Sequence, residues 1–346
     1  MSDGSPKGYE RQRTSKPTGK QPFEPAPDDF NPVWASQDDL VKFGYSPRPH
    51  AEEQPQLFAA WAELFSAKLH FIELASNEKF VGPPPQVAPP RVSETRFENS
   101  RNWSGGYLEP SGGNMFVQIF GKWTVPTPKL PAGSPANPAM QTLYDCSTWV
   151  GLDGQRRYFN SSLPQVGTEQ MLTVDPNGTQ TLLTRAWFQW FARNETTIDQ
   201  RYIPEVPVQP GDRVIMHLWV HGKSDVRVYC HNLTTHILFG FPASAPVING
   251  ATPVIAGATA EWVMERPTIP GKDTMYAFPN YSSVTFSQCV AGAAPGPGPA
   301  GSQHVLQGTR FIRMYDVLTN PMRTSFISMP SLVSATSLKT TYGGFQ

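Results

Sequence analysis

Hydrophobic and polar residues alternate with a period of two over most of the chain beyond residue 100. Phe116, Ile119 and Trp123 lie in a strand-like run that ends at Pro126. Paired runs flank polar turns at 175–178 and 222–224, which predicts two hairpins. Because short strands separated by Gly and Pro continue towards the C-terminus, the pattern predicts an all-β fold, an antiparallel sandwich or barrel. The paired and later runs are 170–174 with 179–191, 212–221 with 225–231, and 260–265, 283–290 and 309–317.

The first 92 residues follow a different pattern. Residues 1–50 are rich in Pro and charged residues, which predicts disorder. Over 51–76 one apolar stripe recurs at spacings of three and four and predicts a helix. Prolines over 81–92 predict a stiff linker. We therefore predict an N-terminal extension, 1–92, followed by one β-rich domain, 93–346. The stripe consists of Leu57, Trp61, Leu64, Phe65 and Leu69.

Composition excludes several classes of protein. The 28 basic and 28 acidic side chains give a formal net charge of zero, which argues against nucleic-acid binding because such proteins carry a basic excess. Cys146, Cys230 and Cys289 lack the spacing of a zinc ribbon or redox motif, and we expect buried thiols with at most one bridge. No apolar stretch is long enough for a membrane helix, and residues 1–20 contain no apolar signal-peptide core.

The sequence lacks the motifs that are typical of several classes of hydrolase. There is no Gly-x-Ser-x-Gly elbow, no Asp-Thr-Gly or Asp-Ser-Gly triplet, no HExxH and no phosphate-binding glycine loop. His217 and His221 are four residues apart on a predicted strand and so share a face. With His231 or His236 they could hold a metal; the alternative is structural or solvated histidines. A metal-dependent hydrolase therefore stays a third hypothesis, which sensitivity to EDTA would test.

Six segments, in this order and spacing, carry a family resemblance. Together they resemble the glutamic peptidases, the eqolisin family of acid proteases. The resemblance covers roughly residues 100–320. The segments are NWSGGY at 102–107, GKWTVP at 121–126, WVGLDG at 149–154, PQVGT at 164–168, AWFQW at 186–190 and AEWVME at 260–265.

The resemblance implies a fold and a catalytic pair. The fold is a concanavalin A-like β-sandwich of two packed antiparallel sheets, and the pair carries over onto Gln165 and Glu261. These residues are 96 positions apart, so only strand pairing can bring them together. Glu261 would act as general base and then acid on a water molecule, and Gln165 would donate its amide to the oxyanion. Neither a metal nor another cofactor is implied.

Further residues are implied to support the pair. Trp103, Trp149, Trp187 and Trp262 would line the substrate cleft; the alternative is that they are core aromatics. Asp153 would orient Gln165 or brace its loop, or simply form an Asp-Gly turn.

Two positions depart from the family pattern. Gln189 stands where the family commonly has Glu, and Arg185 where it often has Asp or Tyr. An Arg close to Glu261 would lower the pKa of that carboxyl. The pH optimum could therefore differ from that of the most acidic relatives.

The leading hypothesis is a monomeric, pepstatin-insensitive acid endopeptidase that cleaves polypeptides and binds neither nucleic acid nor membrane. The alternative is a lectin-like β-sandwich that binds carbohydrate or peptide with little or no catalysis. The departures at Gln189 and Arg185 favour that alternative, and the presence of both Gln165 and Glu261 argues against it.

Residues 1–92 would form a removable propeptide whose helix covers the cleft, or else an unrelated extension. Secretion follows from the resemblance, but the chain shows no signal peptide of the usual pattern, so localisation stays open.

Overall fold

The described part of the chain is built mainly from β-strands, and the all-β prediction is confirmed. The computed structural model describes residues 23–72, 80–81, 96–155, 162–192, 197–198, 200–269, 272, 274–319 and 322–344. The predicted disorder over 1–22 and most of the predicted linker, 82–92, lie outside these residues.

The described residues form two short helices and nineteen strands. The helices are α1 (Gln37–Lys42) and α2 (Pro55–Leu64). The strands are β1 (Leu69–Phe71), β2 (Phe80–Val81), β3 (Phe97–Ser100), β4 (Trp103–Leu108), β5 (Met115–Thr124), β6 (Thr142–Leu152), β7 (Ser162–Val174), β8 (Gln180–Ala192), β9 (Thr197–Ile198), β10 (Gln200–Tyr202), β11 (Arg213–Gly222), β12 (Asp225–Asn232), β13 (Ile237–Ser244), β14 (Ala260–Glu265), β15 (Ser283–Ala294), β16 (Ser302–Val305), β17 (Arg310–Thr319), β18 (Met322–Ser334) and β19 (Ser337–Tyr342).

Both predicted hairpins are present. β7 and β8 pair over their full length on either side of the 175–178 turn, where Gly178 adopts a φ of 86°. A side chain would strain that conformation, which explains the glycine. β11 and β12 pair likewise across residues 223–224.

Seventeen strands form one continuous hydrogen-bonded network, and β2 pairs separately with β9. One run of neighbours is β10–β8–β7–β6–β14–β4–β17–β18–β19. A second run is β13–β12–β11–β5–β15–β16. Strand β15 joins the two, because its first residues pair with β19 and its later residues with β5.

Alternate residues of the first run face different surroundings. Val150, Val166 and Trp262 are fully buried in the largest hydrophobic cluster, which also contains Val214 and Met216 of the second run. The residues that follow or precede them in sequence point to the opposite face, since side chains alternate along a strand. That opposite face carries the predicted pair.

Residues 23–72, which we call the N-terminal cover, pack on the second run of strands. Helix α2 contacts β5, β11, β12, β15 and β16. Its apolar stripe buries Trp61 and Leu64 in a cluster with Phe120, Ile215 and Tyr229. Strand β1 extends the second run by pairing in parallel with β13.

Polar contacts also connect the N-terminal cover to the strands. Tyr229 donates its hydroxyl to the carbonyl of Gly44 at 2.8 Å. His231 donates from Nδ1 to the carbonyl of Leu64 at 2.8 Å. Glu63 of α2 forms an ion pair with Lys122 of β5 at 2.9 Å. The cover is therefore an integral part of the folded domain.

Three predictions for the extension are wrong in detail. Residues 23–50 are ordered rather than disordered, because Leu40 and Tyr45 are buried in the same cluster as α2. The helix predicted over 51–76 ends at Leu64, and the chain continues as β1. This helix was expected to cover the catalytic cleft, but it packs on the strands of the second run, away from Gln165 and Glu261.

Of the four histidines considered as metal ligands, His217 and His231 are buried structural groups, whereas His221 and His236 are exposed. His217 stacks on Phe120 with ring centroids 3.8 Å apart, and burial lowers its pKa to about 3. The described residues contain no group of three or more side chains placed to hold a metal ion. Cys146, Cys230 and Cys289 are all buried free thiols. In the described part of the chain, no helix has the length and apolarity to cross a membrane.

The burial of the N-terminal cover predicts a large cost for Trp61→Ala. The Trp61 indole is fully buried and donates to the carbonyl of Ser46 at 3.1 Å. We expect the free energy of unfolding to fall by about 3–5 kcal/mol, measured by urea denaturation. Trp34, which is 83% exposed in the same segment, is the matched control, and Trp34→Ala should change stability little. Equal effects of the two substitutions would contradict the packing described here.

Candidate active site

A row of side chains crosses five neighbouring strands on the face opposite the main core. In register, the row runs from Tyr107 on β4 through Glu261, Gly151 and Gln165 to Gln189 on β8. Residues paired in register place their side chains on the same face of a sheet. The structure thus brings together Gln165 and Glu261, although they are far apart in sequence. We call these five residues the polar row.

Gly151 leaves a gap between the two predicted catalytic side chains. Two strand spacings separate the backbones of Glu261 and Gln165, or about 9–10 Å. A Cβ atom on Gly151 would lie 2.7 Å from Leu163 Cδ1 and 3.2 Å from Gln165 Cβ. Glycine therefore keeps open the space towards which both neighbours can point.

Glu261 is fully buried, and its two carboxyl oxygens differ. Oε1 accepts hydrogen bonds from the backbone N–H of Gly154 at 3.0 Å and from the Thr259 hydroxyl. Oε2 is buried and has no hydrogen-bond partner among the described residues. One oxygen thus anchors the carboxyl group, and the other is left free for a ligand or water.

Burial, together with the smaller effect of the neighbouring charge of Asp153, raises the pKa of Glu261 to about 8. The hydrogen bonds from Thr259 and Gly154 oppose this shift because they stabilise the carboxylate form. Glu261 therefore holds its proton to a much higher pH than an exposed glutamate.

The side chain of Gln165 is held by its register neighbour on β8, Gln189. Its Nε2 donates to Gln189 Oε1 at 2.7 Å, while its own Oε1 is buried without a partner. An amide nitrogen has two protons, so one N–H of Gln165 stays available after this bond. Gln189 thus fixes the direction of the Gln165 amide, a role for which the sequence offered Asp153.

Asp153 instead holds the loop that leads into β14. Its carboxylate accepts backbone N–H groups of Ala256, Gly257 and Ala258 at 2.6–3.0 Å. Burial raises the pKa of Asp153 to about 6 despite these donors. Because Thr259 follows this loop directly, Asp153 fixes the backbone that presents the Thr259 hydroxyl to Glu261. The contacts of Asp153 therefore match the hypothesis that it braces a loop, and not the hypothesis that it orients Gln165.

Aromatic side chains form the next row on the same face. Trp149 and Trp187 lie on either side of Gly167 in register and belong to a separate small hydrophobic cluster. Trp103 packs edge-on against Trp149 with ring centroids 5.0 Å apart. Trp149 donates to Glu265 Oε2 at 2.7 Å, which fixes its indole. These three tryptophans lie beside the polar row, but Trp149 is fully buried and Trp187 is 3% exposed, so Trp103 is the one of the three that keeps exposed surface.

Trp262 does not line this face. Its side chain is buried in the main core, and its Nε1 donates to the carbonyl of Phe120 at 2.8 Å. The reason is its position directly after Glu261 on β14, since adjacent residues of a strand point to opposite faces. The assignment of Trp262 to the cleft is therefore wrong, and its core alternative holds.

Several groups at this site were not predicted from the sequence. Gly151, Gly154, Thr259 and Glu265 contact or flank the predicted residues only through loop geometry and strand register. Thr259 and Glu265 lie at even spacing from Glu261, so the strand period could have indicated that they share its face. Arg185, in contrast, pairs with Glu169 and is not among the groups that shift the pKa of Glu261.

Comparisons with known proteins identify the family. The model of the Peptidase A4 family matches residues 101–322. The chain therefore belongs to this family, the eqolisins, and its enzyme class is that of a glutamic endopeptidase. A search of curated proteins found no match.

Solved structures of glutamic peptidases are also similar to this chain. Scytalido-glutamic peptidase, crystallised with a peptide-based transition state analogue, is 19% identical with a TM-score of 0.49, over 70% of this chain and 98% of that chain. Aspergilloglutamic peptidase from Aspergillus niger is 22% identical with a TM-score of 0.44, over 57% and 99%. At these values the family assignment rests on the family model.

The gap at Gly151 predicts that Gly151→Ala impairs peptidase activity more than folding. The new methyl group would meet Leu163, whose side chain can turn away, but it would still narrow the space between Glu261 and Gln165. We expect kcat/KM to fall at least about tenfold with a small change in melting temperature. Gly296→Ala is the matched control, because a Cβ there meets nothing within 4 Å. Full activity in Gly151→Ala would show that the space between Glu261 and Gln165 is not needed for catalysis.

The raised pKa of Glu261 predicts a pH dependence of stability. Its folded-state pKa of about 8 lies above the ordinary value of 4.5, so its contribution to stability is fully present below pH 4.5 and is lost as pH rises towards 8. Glu261→Gln removes this titration. The difference in melting temperature between wild type and Glu261→Gln should therefore become less favourable to wild type from pH 4.5 to 8. A difference that is constant with pH would contradict the shift.

Proposed function

We propose that this peptidase hydrolyses internal peptide bonds with a water molecule activated by Glu261, while Gln165 stabilises the oxyanion. No covalent intermediate is formed in this mechanism. The substrates are polypeptides, as family membership implies. Trp103, which is partly exposed, supplies apolar surface for substrate side chains, and the buried Trp149 and Trp187 pack behind it.

The observation that carries the proposal is a pair of unpartnered acceptors in the polar row. Glu261 Oε2 and Gln165 Oε1 are both buried without a hydrogen-bond partner among the described residues, on either side of Gly151. Buried polar atoms in folded proteins are nearly always satisfied, so an unpartnered pair calls for a molecule between them. A water molecule can donate one proton to each oxygen.

In the proposed reaction Glu261 transfers the proton, and Gln165 stabilises the oxyanion. The Glu261 carboxylate takes a proton from the water, whose oxygen attacks the peptide carbonyl. The available Nε2–H of Gln165 donates to the negative charge that develops on the carbonyl oxygen, a contribution of about 2.7–4 kcal/mol. Glu261 then returns the proton to the departing amine, and the C–N bond breaks. Gln189 keeps the Gln165 amide in the required orientation.

The proton on Glu261 sets the pH range of the reaction. General-base catalysis needs the carboxylate form, and burial raises the pKa of Glu261 to about 8. We therefore infer that the rate rises from strongly acidic pH as Glu261 loses its proton. The activity at acidic pH suggested by the resemblance stays a prediction, with an optimum less acidic than an exposed glutamate would give.

We further infer that the strands form two packed layers, the concanavalin A-like sandwich. Val150, Val166 and Trp262 of the first run and Val214 and Met216 of the second share one buried cluster, which supports two layers facing a common core. Strand β15, which pairs with both runs, would pass from one layer to the other.

The role of residues 1–92 as a propeptide stays a prediction, as does the domain boundary near residue 92. The N-terminal cover packs on the second run of strands, so inhibition would have to come from residues outside it. A monomer that binds neither nucleic acid nor membrane also stays a prediction.

The test is cleavage of a denatured protein substrate from pH 2 to 7 in the presence of pepstatin. We expect pepstatin-resistant cleavage by wild type and a loss of at least about 100-fold in kcat for Glu261→Gln and for Gln165→Ala. The substitution Glu205→Gln at an exposed position is the matched control and should leave activity unchanged.

Three results would count against the proposal. Activity that survives in Glu261→Gln would show that another group activates the water. Peptide or carbohydrate binding without cleavage by folded wild type would support the lectin-like alternative. Loss of activity with EDTA would instead favour the metal-dependent hypothesis.

A further inference from the structure

Arg185 lies on the same face as the polar row, on the far side of the tryptophans. It is four residues before Gln189 on β8, a distance of about 13 Å along the strand. Its register partner is Glu169, four residues beyond Gln165 on β7. Trp187 lies between Arg185 and Gln189 on the same face. A peptide bound across Gln165 and Trp187 would thus reach Arg185 within about four extended residues.

The guanidinium of Arg185 is fixed on one edge. Its Nε and Nη2 both donate to Glu169 Oε2, with Nε at 3.0 Å. Its plane stacks on the ring of Tyr202, with Cζ 3.5 Å from the ring centroid. A guanidinium held in this way loses little conformational entropy when it binds a ligand.

The other edge of Arg185 remains available. A guanidinium has five N–H donors, and Nη1 has no hydrogen-bond partner among the described residues. The side chain keeps 22% of its surface exposed, whereas that of Glu169 keeps 7%. The charge that solvent and substrate can reach is therefore the positive one.

The other charged groups around Arg185 are buried carboxyls. Asp145 is 1% exposed, and burial next to Glu169 raises its pKa well above the usual range. Burial also raises the pKa of Glu265, which accepts hydrogen bonds from Trp149 and Asn102. A raised pKa shifts both carboxyls towards their neutral forms, which reduces the negative charge that faces Arg185.

We propose that Arg185 forms a specificity subsite that binds a carboxylate of the peptide substrate, three or four residues from the scissile bond. The carboxylate can be an acidic side chain or the C-terminus of the peptide. Nη1 donates to it, and Tyr202 and Glu169 keep the guanidinium in place. A basic side chain at the same substrate position is disfavoured by repulsion. The inference rests on the proposed function, because it assigns a subsite to the same peptide-binding face.

The experiment measures peptide binding without turnover. Fluorescein-labelled decapeptides with an amidated C-terminus carry one glutamate, glutamine or lysine, moved stepwise through a background of alanine and tyrosine. Binding to full-length Glu261→Gln is followed by fluorescence anisotropy at pH 6, where the glutamate is ionised. We expect about tenfold tighter binding of glutamate than of glutamine at one or two adjacent positions, and lysine weakest. A free C-terminus on the glutamine series separates the two sources of the carboxylate.

Variants then assign the preference to Arg185. Adding Arg185→Gln should make glutamate and glutamine peptides bind equally, and Arg185→Lys should keep part of the preference. If Arg185→Gln alone is unstable because Glu169 loses its partner, the double variant Glu169→Gln/Arg185→Gln replaces the ion pair with a neutral pair. Arg313→Gln is the matched control: Arg313 also stacks on aromatic rings, but on β17, five strands beyond β8.

The failures of the subsite and of the proposed mechanism give different signals. Equal binding of glutamate and glutamine peptides at every position, or a preference for glutamate that survives in Arg185→Gln and in the double variant, overturns the subsite. The absence of measurable binding of any peptide also overturns it. Mass spectrometry of the same mixtures reports cleavage separately, so hydrolysis by Glu261→Gln would count against the proposed mechanism and not against the subsite.

Discussion

The register of strand β6 with its two neighbours is the constraint on which the site depends. β6 pairs with β14 on one side and β7 on the other, and Gly151 is the residue that stands opposite both Glu261 and Gln165. A slip of one residue would exchange the two faces of a strand. Trp262 would then enter the cleft, and Glu261 would enter the apolar core. The large aromatic residue in the core therefore fixes the position of the Glu261 carboxyl.

Burial gives the site its electrostatic character. Glu261, Asp153, Glu265 and Asp145 are all enclosed, and burial raises the pKa of each. Their proximity within one face would be unfavourable if all were ionised, since like charges in a buried site repel strongly. Hydrogen bonds from Thr259, Gly154 and backbone amides reduce this cost. An enzyme built in this way suits an environment in which buried carboxyls can keep their protons.

The sequence predicts those strands that have a strong local signal, such as β7, β8, β11, β12 and β14, but not β6, β13, β18 or β19. The period of two, the turn at 175–178 and the motif around Glu261 indicate elements that the structure contains. The N-terminal cover was harder to predict, because residues 23–50 are ordered by contacts with strands more than 100 residues away. Thr259 and Gly151 were not predicted as site residues for a related reason. Their places beside Glu261 and Gln165 come from cross-strand register, which no short motif encodes. Trp262 was misassigned because the motif identifies a segment, while the strand period decides the face.

The N-terminal cover has a consequence for how a processed form of the enzyme would be composed. Residues 23–72 are attached through a parallel strand pair, a buried apolar cluster and an ion pair. A single cut in the chain between this segment and β3 would break one covalent bond and leave all of these contacts intact. The product would be a two-chain enzyme whose light chain stays bound to the heavy chain without a disulfide. Since no covalent bond would join the two chains, they would separate in denaturant or at high dilution.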